Sequence, residues 1–482
     1  MSGKSIKKNY IYNVAYQVLQ MIVPLITAPY ISRVLGAEAI GEYSFAQSVV
    51  SYFVLFATMG INLYGQREIS YVQNDKAERS RIFWETKCLT VINVIFCSIF
   101  YFIFLLVQGF SVLYIVLYIN ILAVAMDVTW FFQGLEEFKK IVLRNTVLKL
   151  INVVYTFVFV KSADDLIVYA LGLAGITFVG NLSLWPYLKT YLNVPELKSI
   201  RPFRNIKVVL SLFVPTVAIE VYTVLDKTMI GLFAEVSSEN GYYSQAITIS
   251  RMVLSIVTSL GTVMIPRIGY YFGQGEYGAV RDYMYRAYRF VWFLGIPLCF
   301  GLMGVAYSFV PWFFGPGYDK VVPLLMVLSF LILAIGINNV TGMQYLIPTK
   351  RQNLFTLTVI IGAIVNFVLN LILIPQLYSI GAAIASVIAE TVIAVVQLII
   401  VRKEISVKKV VLCGWHYYVA GVIMLILLFA EKRYLESSII NTLIMVVSGA
   451  VAYFTVLVVL KDDFLFENMK KVLSRLCVGG KR

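Results

Sequence analysis

Apolar residues form long runs along the chain, and short polar segments separate these runs. A helix that crosses the hydrocarbon core of a bilayer, about 30 Å thick, needs about 20 mostly apolar residues. The pattern predicts about fourteen transmembrane helices and no other regular structure. They lie at residues 10–32, 41–64, 83–106, 112–133, 142–160, 166–188, 208–234, 241–265, 290–314, 321–346, 354–374, 378–401, 411–430 and 438–460.

The composition agrees with a membrane protein. Apolar residues make up 60% of the 482 positions, and charged residues make up only 14%, against about 25% in soluble domains. One soluble interior cannot hide that much apolar surface. We therefore expect an all-α integral membrane protein.

The charged residues predict the orientation of the helices. The 40 Lys and Arg exceed the 26 Asp and Glu, for a net charge of +14. With the N-terminus inside, about thirty basic residues lie in inner segments and five in outer ones. The outer five are Arg33, Lys161, Lys320, Lys432 and Arg433. This bias predicts a multi-pass membrane protein with both termini in the cytoplasm, and it explains the basic surplus without nucleic acid as a partner.

A short motif occurs twice. Residues 41–46 and 241–246 both read G-x-Y-S-x-A, and both lie where the chain re-enters the membrane from outside. The alternative is a chance match of common residues. A true repeat of six helices would have a parallel arrangement. It predicts two six-helix bundles, at residues 1–207 and 208–410, followed by helices 13 and 14 with a basic tail at residues 411–482.

Several charges fall inside the predicted helices, where each costs about 2.5–3.5 kcal/mol on insertion scales. On the seventh helix, Glu220, Thr223 and Lys227 lie on one face. Two interpretations remain open: a hydrated, net cationic cavity, or an ion pair of Glu220 or Asp226 with Lys227 or Arg251 that serves packing alone. Lys149 and Asp127 are further charges of this kind.

Glu390 has no basic residue in its own helix, and Asn366 and Asn370 of the preceding helix are its predicted neighbours. It is either a proton or cation site or a protonated, hydrogen-bonded carboxyl group. No spacing of His, Cys and carboxylates predicts a metal site, and no phosphate-binding loop predicts ATP hydrolysis. We expect no bound cofactor.

Four stretches together resemble a known family. They are PYISRVLGAEAIGEYSFAQS (29–48), WFFQGLEEFKK (130–140), FVPTVAIEVYTVLDKTMIG (213–231), and YLIPTKRQN followed by GAIVNFVLNLILIP (345–375). In this order they resemble the bacterial polysaccharide repeat-unit flippases of the Wzx type, within the multidrug/oligosaccharidyl-lipid/polysaccharide (MOP) exporter superfamily, which includes the MATE transporters.

The resemblance implies two six-helix bundles in a V shape around a central cavity, working by alternating access. The implied substrate is an undecaprenyl-diphosphate-linked oligosaccharide for capsule, O-antigen or exopolysaccharide assembly. Membrane lipids, a polysaccharide polymerase and glycosyltransferases are the implied further partners. An H⁺ or Na⁺ gradient is the implied energy source.

The resemblance also suggests roles for residues. Arg33, in the S-R-V-L-G stretch, and Lys227, in the L-D-K stretch, are assigned contact with the substrate diphosphate. Arg251 and Lys149 are assigned the same role by position only. Asp127, Glu220, Asp226 and Glu390 are the candidates for ion coupling or for lining the cavity.

Other functions remain as alternatives. A lipid II flippase and a cation-coupled drug exporter belong to the same superfamily, although a drug exporter favours an acidic cavity. A membrane polysaccharide polymerase is the enzyme alternative. Polymerases carry a large outer loop, whereas the outer loops here are about 5–10 residues long and no catalytic constellation is visible. We therefore expect a transporter, not an enzyme.

Overall fold

The computed structural model describes residues 6–193, 200–259 and 261–470. The side chains of residues 6–18, 20, 214, 215, 218, 219, 221, 222, 262 and 263 fall outside this description. The described residues form helices joined by short turns and contain no strand. The predicted all-α membrane fold is therefore confirmed.

Ten α-helices lie in the described part of the first half of the chain. They are α1 (Ile6–Thr58), α2 (Ile61–Tyr71), α3 (Lys76–Gln108), α4 (Val112–Met126), α5 (Thr129–Gly134), α6 (Phe138–Phe159), α7 (Leu166–Leu182), α8 (Trp185–Tyr191), α9 (Ile206–Phe233) and α10 (Ser238–Thr258).

The second half continues with α11 (Gly261–Gly273), α12 (Tyr277–Phe314), α13 (Val321–Leu328) and α14 (Leu331–Asn338). A π-helix (Asn339–Leu346) follows α14. The remaining helices are α15 (Gln352–Val401), α16 (Val407–Leu412), α17 (Trp415–Glu431) and α18 (Ile439–Val459).

Two helices are long enough to cross a bilayer twice, and each contains a break. In α1 the break is at Gly36 (φ 76°, ψ 171°), and in α15 it is at Tyr378 (φ 51°, ψ −126°). Positive φ suits glycine because it has no Cβ, whereas it is strained for tyrosine. Gly36 falls between two predicted spans and Tyr378 is the first residue of one, so two consecutive spans are joined at each break without a loop.

Ten helical segments of the described chain are long and apolar enough to cross a membrane, with each broken helix counted once. The predicted spans at 208–234 and 241–265 fall on α9 and on α10 with the start of α11, which are not among the ten. The chain is a multi-pass membrane protein, and the count of fourteen crossings stays a prediction.

By its internal contacts the chain divides into two compact units, Met1–Ser244 and Gln245–Arg482. This division falls inside α10. The predicted boundaries at residues 207/208 and 410/411 concern bundles of helices, and they stay a prediction.

In the first unit, α1, α3, α4 and α7 share an apolar core. Val50, Tyr101, Leu117 and Ile121 are fully buried in it. On the far side of α3, large apolar side chains such as Phe96 are exposed. An exposed apolar face of this kind is what a bilayer requires of a spanning helix.

In the second unit, α12 packs against α17 and α18 around Trp292, Tyr417 and Tyr453. A buried carboxylate, Asp462, ties these helices together just after α18. It accepts hydrogen bonds from Nη2 of Arg289 at 3.0 Å and from the Tyr417 hydroxyl at 3.2 Å. Burial acts to raise the pKa of Asp462, but the backbone N–H of Leu465 and the Arg289 guanidinium outweigh it, and the pKa is lowered.

Candidate functional site

The contact between α1 and α9 is built from small and hydroxyl-bearing residues. Gly41, Ser44 and Ser48 follow one another at spacings of three and four, which places them on one face of α1. The hydroxyl of Thr228 on α9 donates to Oγ of Ser48 at 2.9 Å and lies 3.0 Å from the Tyr52 hydroxyl. Small residues let membrane helices approach closely, and hydroxyl groups bond across them.

The two glycines that begin the G-x-Y-S-x-A motifs meet each other at one end of this contact. A Cβ placed on Gly41 would lie 1.8 Å from the carbonyl oxygen of Ser237 and 3.0 Å from the backbone nitrogen of Gly241. A Cβ on Gly241 would lie 2.0 Å from the carbonyl oxygen of Ala37. Gly41 thus lies against Ser237, four residues before Gly241, and Gly241 lies against Ala37, four residues before Gly41. We call this contact the glycine crossing.

Arg33 and Lys227 flank the glycine crossing. Arg33 is exposed and lies four residues before Ala37, on the other side of the break at Gly36. The carbonyl oxygen of Lys227 accepts a hydrogen bond at 2.6 Å from Nδ2 of Asn240, the residue next to Gly241. The Lys227 ammonium is half-buried and donates to the Ser244 hydroxyl at 3.1 Å. The structure therefore brings these two predicted phosphate ligands to the same end of the first unit.

The two carboxylates of α9 occupy different surroundings. Asp226 is buried, and its carboxylate accepts a hydrogen bond from the Tyr243 hydroxyl of α10. Glu220, two turns earlier, is exposed. The predicted polar face of α9 therefore includes an exposed acid at Glu220 and a half-buried base at Lys227, while Asp226 faces the start of α10.

Asp127 has a local structural role. Its carboxylate accepts a hydrogen bond from the backbone N–H of Thr129 at 2.8 Å, at the start of α5. Its backbone carbonyl accepts a hydrogen bond at 3.0 Å from Nζ of Lys87, a buried base on α3 that also lies over the Trp185 ring. Lys149 lies half-buried near the middle of α6. These residues belong to α3–α6 and not to the glycine crossing.

In the second unit, Glu390 is buried midway along the second part of α15 and accepts a hydrogen bond from Nδ2 of Asn338 at 2.9 Å. Nε2 of Gln397 donates to Oδ1 of Asn338 at 2.9 Å and lies 3.1 Å from Oγ1 of Thr358. Asn338 ends α14 and directly precedes the π-helix. π-Helical turns are rare and frequent at functional sites.

Sequence reasoning missed Asn338 and Gln397. It expected Asn366 and Asn370 beside Glu390, and that placement stays a prediction; Nδ2 of Asn370 donates to Oδ1 of Asn366 at 3.1 Å. The signal that could have found Asn338 is an amide in an otherwise apolar run. Arg251, the fourth predicted phosphate ligand, is exposed on α10.

Within residues 6–193, 200–259 and 261–470, no group of three or more His, Cys, Asp and Glu side chains could hold a metal ion. The charged groups described above are the chemistry that this part of the chain offers.

The sequence pattern of a family described as "Polysaccharide biosynthesis protein" matches residues 6–272, more than half of the chain. The chain belongs to this family. The predicted resemblance to polysaccharide flippases of the Wzx type is thereby confirmed.

Two curated relatives support the assignment over most of their length. A protein of Escherichia coli (strain K12) named "Putative O-antigen transporter" is 23% identical over 83% of this chain and 97% of its own. A protein of Shigella dysenteriae with the same name is 26% identical over 78% of this chain and 94% of its own.

Solved structures share the fold. The lipid II flippase MurJ in an inward closed conformation matches with a TM-score of 0.73 and 16% identity, over 95% of this chain and 99% of that one. An inward-facing multidrug resistance transporter of the MATE family matches with a TM-score of 0.62 and 15% identity, over 84% and 96%. These likenesses confirm the MATE-like, MOP-type helical fold.

Proposed function

We propose that this protein is a flippase for undecaprenyl-diphosphate-linked oligosaccharide repeat units. It moves them from the inner to the outer leaflet of the bacterial cytoplasmic membrane for assembly of a surface polysaccharide such as capsule, O-antigen or exopolysaccharide. Both termini lie in the cytoplasm. Family membership and the names of the two bacterial relatives support this substrate class.

The observation that carries the proposal is the pair of cations beside the glycine crossing. A diphosphate is anionic, and its transfer requires fixed positive charge that water can reach. Arg33 is exposed, and the Lys227 ammonium bonds to a neutral hydroxyl. Lys149 and Arg251 are further candidates for contact with the diphosphate during its transfer. The prenyl chain needs no protein contact, since lipid solvates it.

The glycine crossing suits a transporter that works by alternating access. At this contact, backbone meets backbone, without interlocking side chains. Such a contact forms tightly and separates without rotamer changes. In this mechanism the crossing closes one end of the substrate path in one state and opens in the other.

Among the four candidate acids, Glu390 is the one we propose for coupling to an H⁺ or Na⁺ gradient. Asp127 bonds to the backbone at the start of α5, Asp226 bonds to a tyrosine, and Glu220 is exposed. Glu390 is buried at mid-helix among neutral amides, where gaining or losing a cation changes the local charge strongly.

Alanine substitutions test the substrate assignment. Arg33→Ala and Lys227→Ala are expressed in cells that lack their own repeat-unit flippase, and Lys161→Ala is the control. Lys161 is exposed in an outer segment, where its ammonium bonds to the Phe157 carbonyl. We expect the first two variants to lose surface glycan and accumulate lipid-linked precursor, while the control exports normally and all three reach the membrane.

Normal export by both Arg33→Ala and Lys227→Ala would refute the roles assigned to these cations. Vesicles containing the purified protein separate the other functions. Transfer of lipid II in place of the oligosaccharide lipid, or transport of cationic dyes, would replace the proposed substrate.

A further inference from the structure

A pocket of about 430 Å³ opens on the first unit, where α6 begins and α7 gives way to α8. Its polar lining consists of Lys139, Lys140, Arg144, Ser183 and Tyr187. The remaining lining residues are apolar and include Leu143 and Val147 of α6. The pocket is therefore basic at one end and apolar along the other.

The geometry of α6 places this pocket at the membrane boundary. A helix of 22 residues is about 33 Å long, close to the thickness of the hydrocarbon core. Phe138, its first residue, therefore lies near one surface of the bilayer. Val147, nine residues on, lies about 13 Å deeper. The charge bias along the chain assigns this surface to the cytoplasm.

The apolar end of the pocket lies on a surface that lipid can reach. Leu143 is 61% exposed and Val147 is 46% exposed. Both belong to a helix that is apolar enough to span the membrane. Acyl chains can therefore lie along these two side chains while a headgroup occupies the basic end.

Two of the cations of the pocket have described polar contacts. Nζ of Lys140 donates to the Tyr191 hydroxyl at 2.6 Å and lies 4.4 Å from the centre of that ring. The Arg144 guanidinium donates to Oδ1 of Asn145 at 2.7 Å and of Asn181 at 3.4 Å. Such contacts fix the direction of a charge without neutralising it.

Acidic residues are absent from the described lining. The nearest in sequence are Glu136, which is exposed, and Glu137, whose carboxylate accepts a hydrogen bond at 3.0 Å from the Tyr191 hydroxyl. The described lining thus contains three basic side chains and no acidic one, and an anion is the occupant that complements it.

We propose that this pocket binds the phosphate of an anionic phospholipid of the inner leaflet, with its acyl chains along Leu143 and Val147. Basic pockets between membrane helices at the cytoplasmic surface recognise anionic headgroups in this way. A soluble phosphate needs no apolar wall, whereas a phospholipid uses both ends of the pocket. This site is separate from the cations assigned to the transported substrate.

A second basic cavity, in the other unit, provides a matched control. It measures about 770 Å³, and its lining includes Arg281, Arg402, Lys403 and Lys409. It also contains the carboxylates of Asp282 and Glu404. Removing two positive charges there changes the net charge of the protein by the same amount, in a cavity that also contains acidic groups.

The experiment measures binding of phosphatidylglycerol to the purified full-length protein in nanodiscs of phosphatidylcholine. The test variant is Lys139→Gln/Arg144→Gln, and the control is Arg281→Gln/Arg402→Gln. We expect at least tenfold weaker phosphatidylglycerol binding in the test variant, since each charge-assisted hydrogen bond is worth about that factor. The control is expected to bind as the unmodified protein does.

Equal losses in both double variants would overturn the proposal, because they would indicate only general attraction to a basic protein. Equal binding of phosphatidylethanolamine would do the same. If undecaprenyl diphosphate displaces phosphatidylglycerol at much lower concentration, the pocket belongs to the transported lipid instead. Lys139→Glu, at an exposed position, guards against misfolding of the double variant, and it must also weaken binding.

Discussion

The glycine crossing predicts a specific effect of adding one methyl group. In Gly41→Ala the new Cβ would lie 1.8 Å from the carbonyl oxygen of Ser237, and real Cβ contacts essentially never fall below 3.0 Å. The two backbones must therefore separate by about 1.2 Å. Overpacking of this kind costs about 1–3 kcal/mol. That free energy shifts an equilibrium between a closed and an open crossing about 5-fold to 150-fold toward the open form.

We expect Gly41→Ala and Gly241→Ala to reduce glycan export to a similar extent, because their clashes are reciprocal. The double variant should cost less than the sum of the two, since one separation of the helices relieves both clashes. Gly175→Ala is the matched control, because a Cβ there meets nothing within 4 Å. In the middle of α7, that alanine is expected to be neutral or slightly stabilising.

Two measurements test this reasoning. Export is measured as surface glycan per molecule of protein in the membrane, and stability as the Tm of purified protein in detergent. Unchanged export and unchanged Tm in both glycine variants would show that the helices do not approach this closely in any state that transport requires. A loss of export and Tm equal to that of Gly175→Ala would show only a general effect of replacing a helical glycine with alanine.

Three other predictions follow from buried or paired carboxylates. Asp462→Asn should lower stability by about 1–3 kcal/mol, because it weakens the hydrogen bonds that the charged carboxylate accepts. The loss is measured as a fall in Tm, and an equal fall for Asp463→Asn, at the exposed neighbouring residue, would contradict this. Burial acts to raise the pKa of Glu404, but the guanidinium of Arg351 outweighs it and the pKa is lowered. The Arg351–Glu404 pair therefore stabilises the fold at pH values above the pKa of an unfolded glutamate, near 4.3. This stabilisation is lost as the pH falls through the lowered pKa of Glu404. Glu404→Gln should lower the free energy of unfolding by about 0–1 kcal/mol at pH 7 and by less at pH 4. An equal loss of stability at both pH values would refute the pairing. Glu390→Gln should uncouple export from the ion gradient, and export that still follows the gradient would exclude Glu390 as the coupling site.

The helices themselves were predictable because a bilayer imposes one requirement on every span. Hydropathy reports that requirement residue by residue, so the positions of the runs agree with the helices observed. What hydropathy does not report is how consecutive spans join. Gly36 and Tyr378 break α1 and α15, and the spans on either side of each break are joined without a separate loop.

The surroundings of individual charges were much harder to predict. The sequence shows that Glu390 is isolated in its own helix, but not which helix lies beside it. Its bond to Asn338 depends on the packing of α14 against α15. In the same way, Asp127 looks like a charge in the membrane, whereas its carboxylate accepts a local hydrogen bond from the Thr129 N–H at the start of α5. Spacing within one helix cannot distinguish these cases.

The two G-x-Y-S-x-A motifs contact each other symmetrically at the glycine crossing, whereas the charged residues beside the crossing do not correspond between the two motifs. Residues 41 and 241, and likewise 37 and 237, are 200 positions apart, and they contact each other reciprocally. By the same offset, Lys227 corresponds to Thr27 and Arg33 corresponds to Phe233. By this offset, Lys227 is not the counterpart of Arg33. A pseudo-symmetric crossing can open and close from either half, whereas a single lipid diphosphate has no symmetry of its own. Selection can therefore preserve the glycines in pairs while it places each cation independently, where the headgroup needs it.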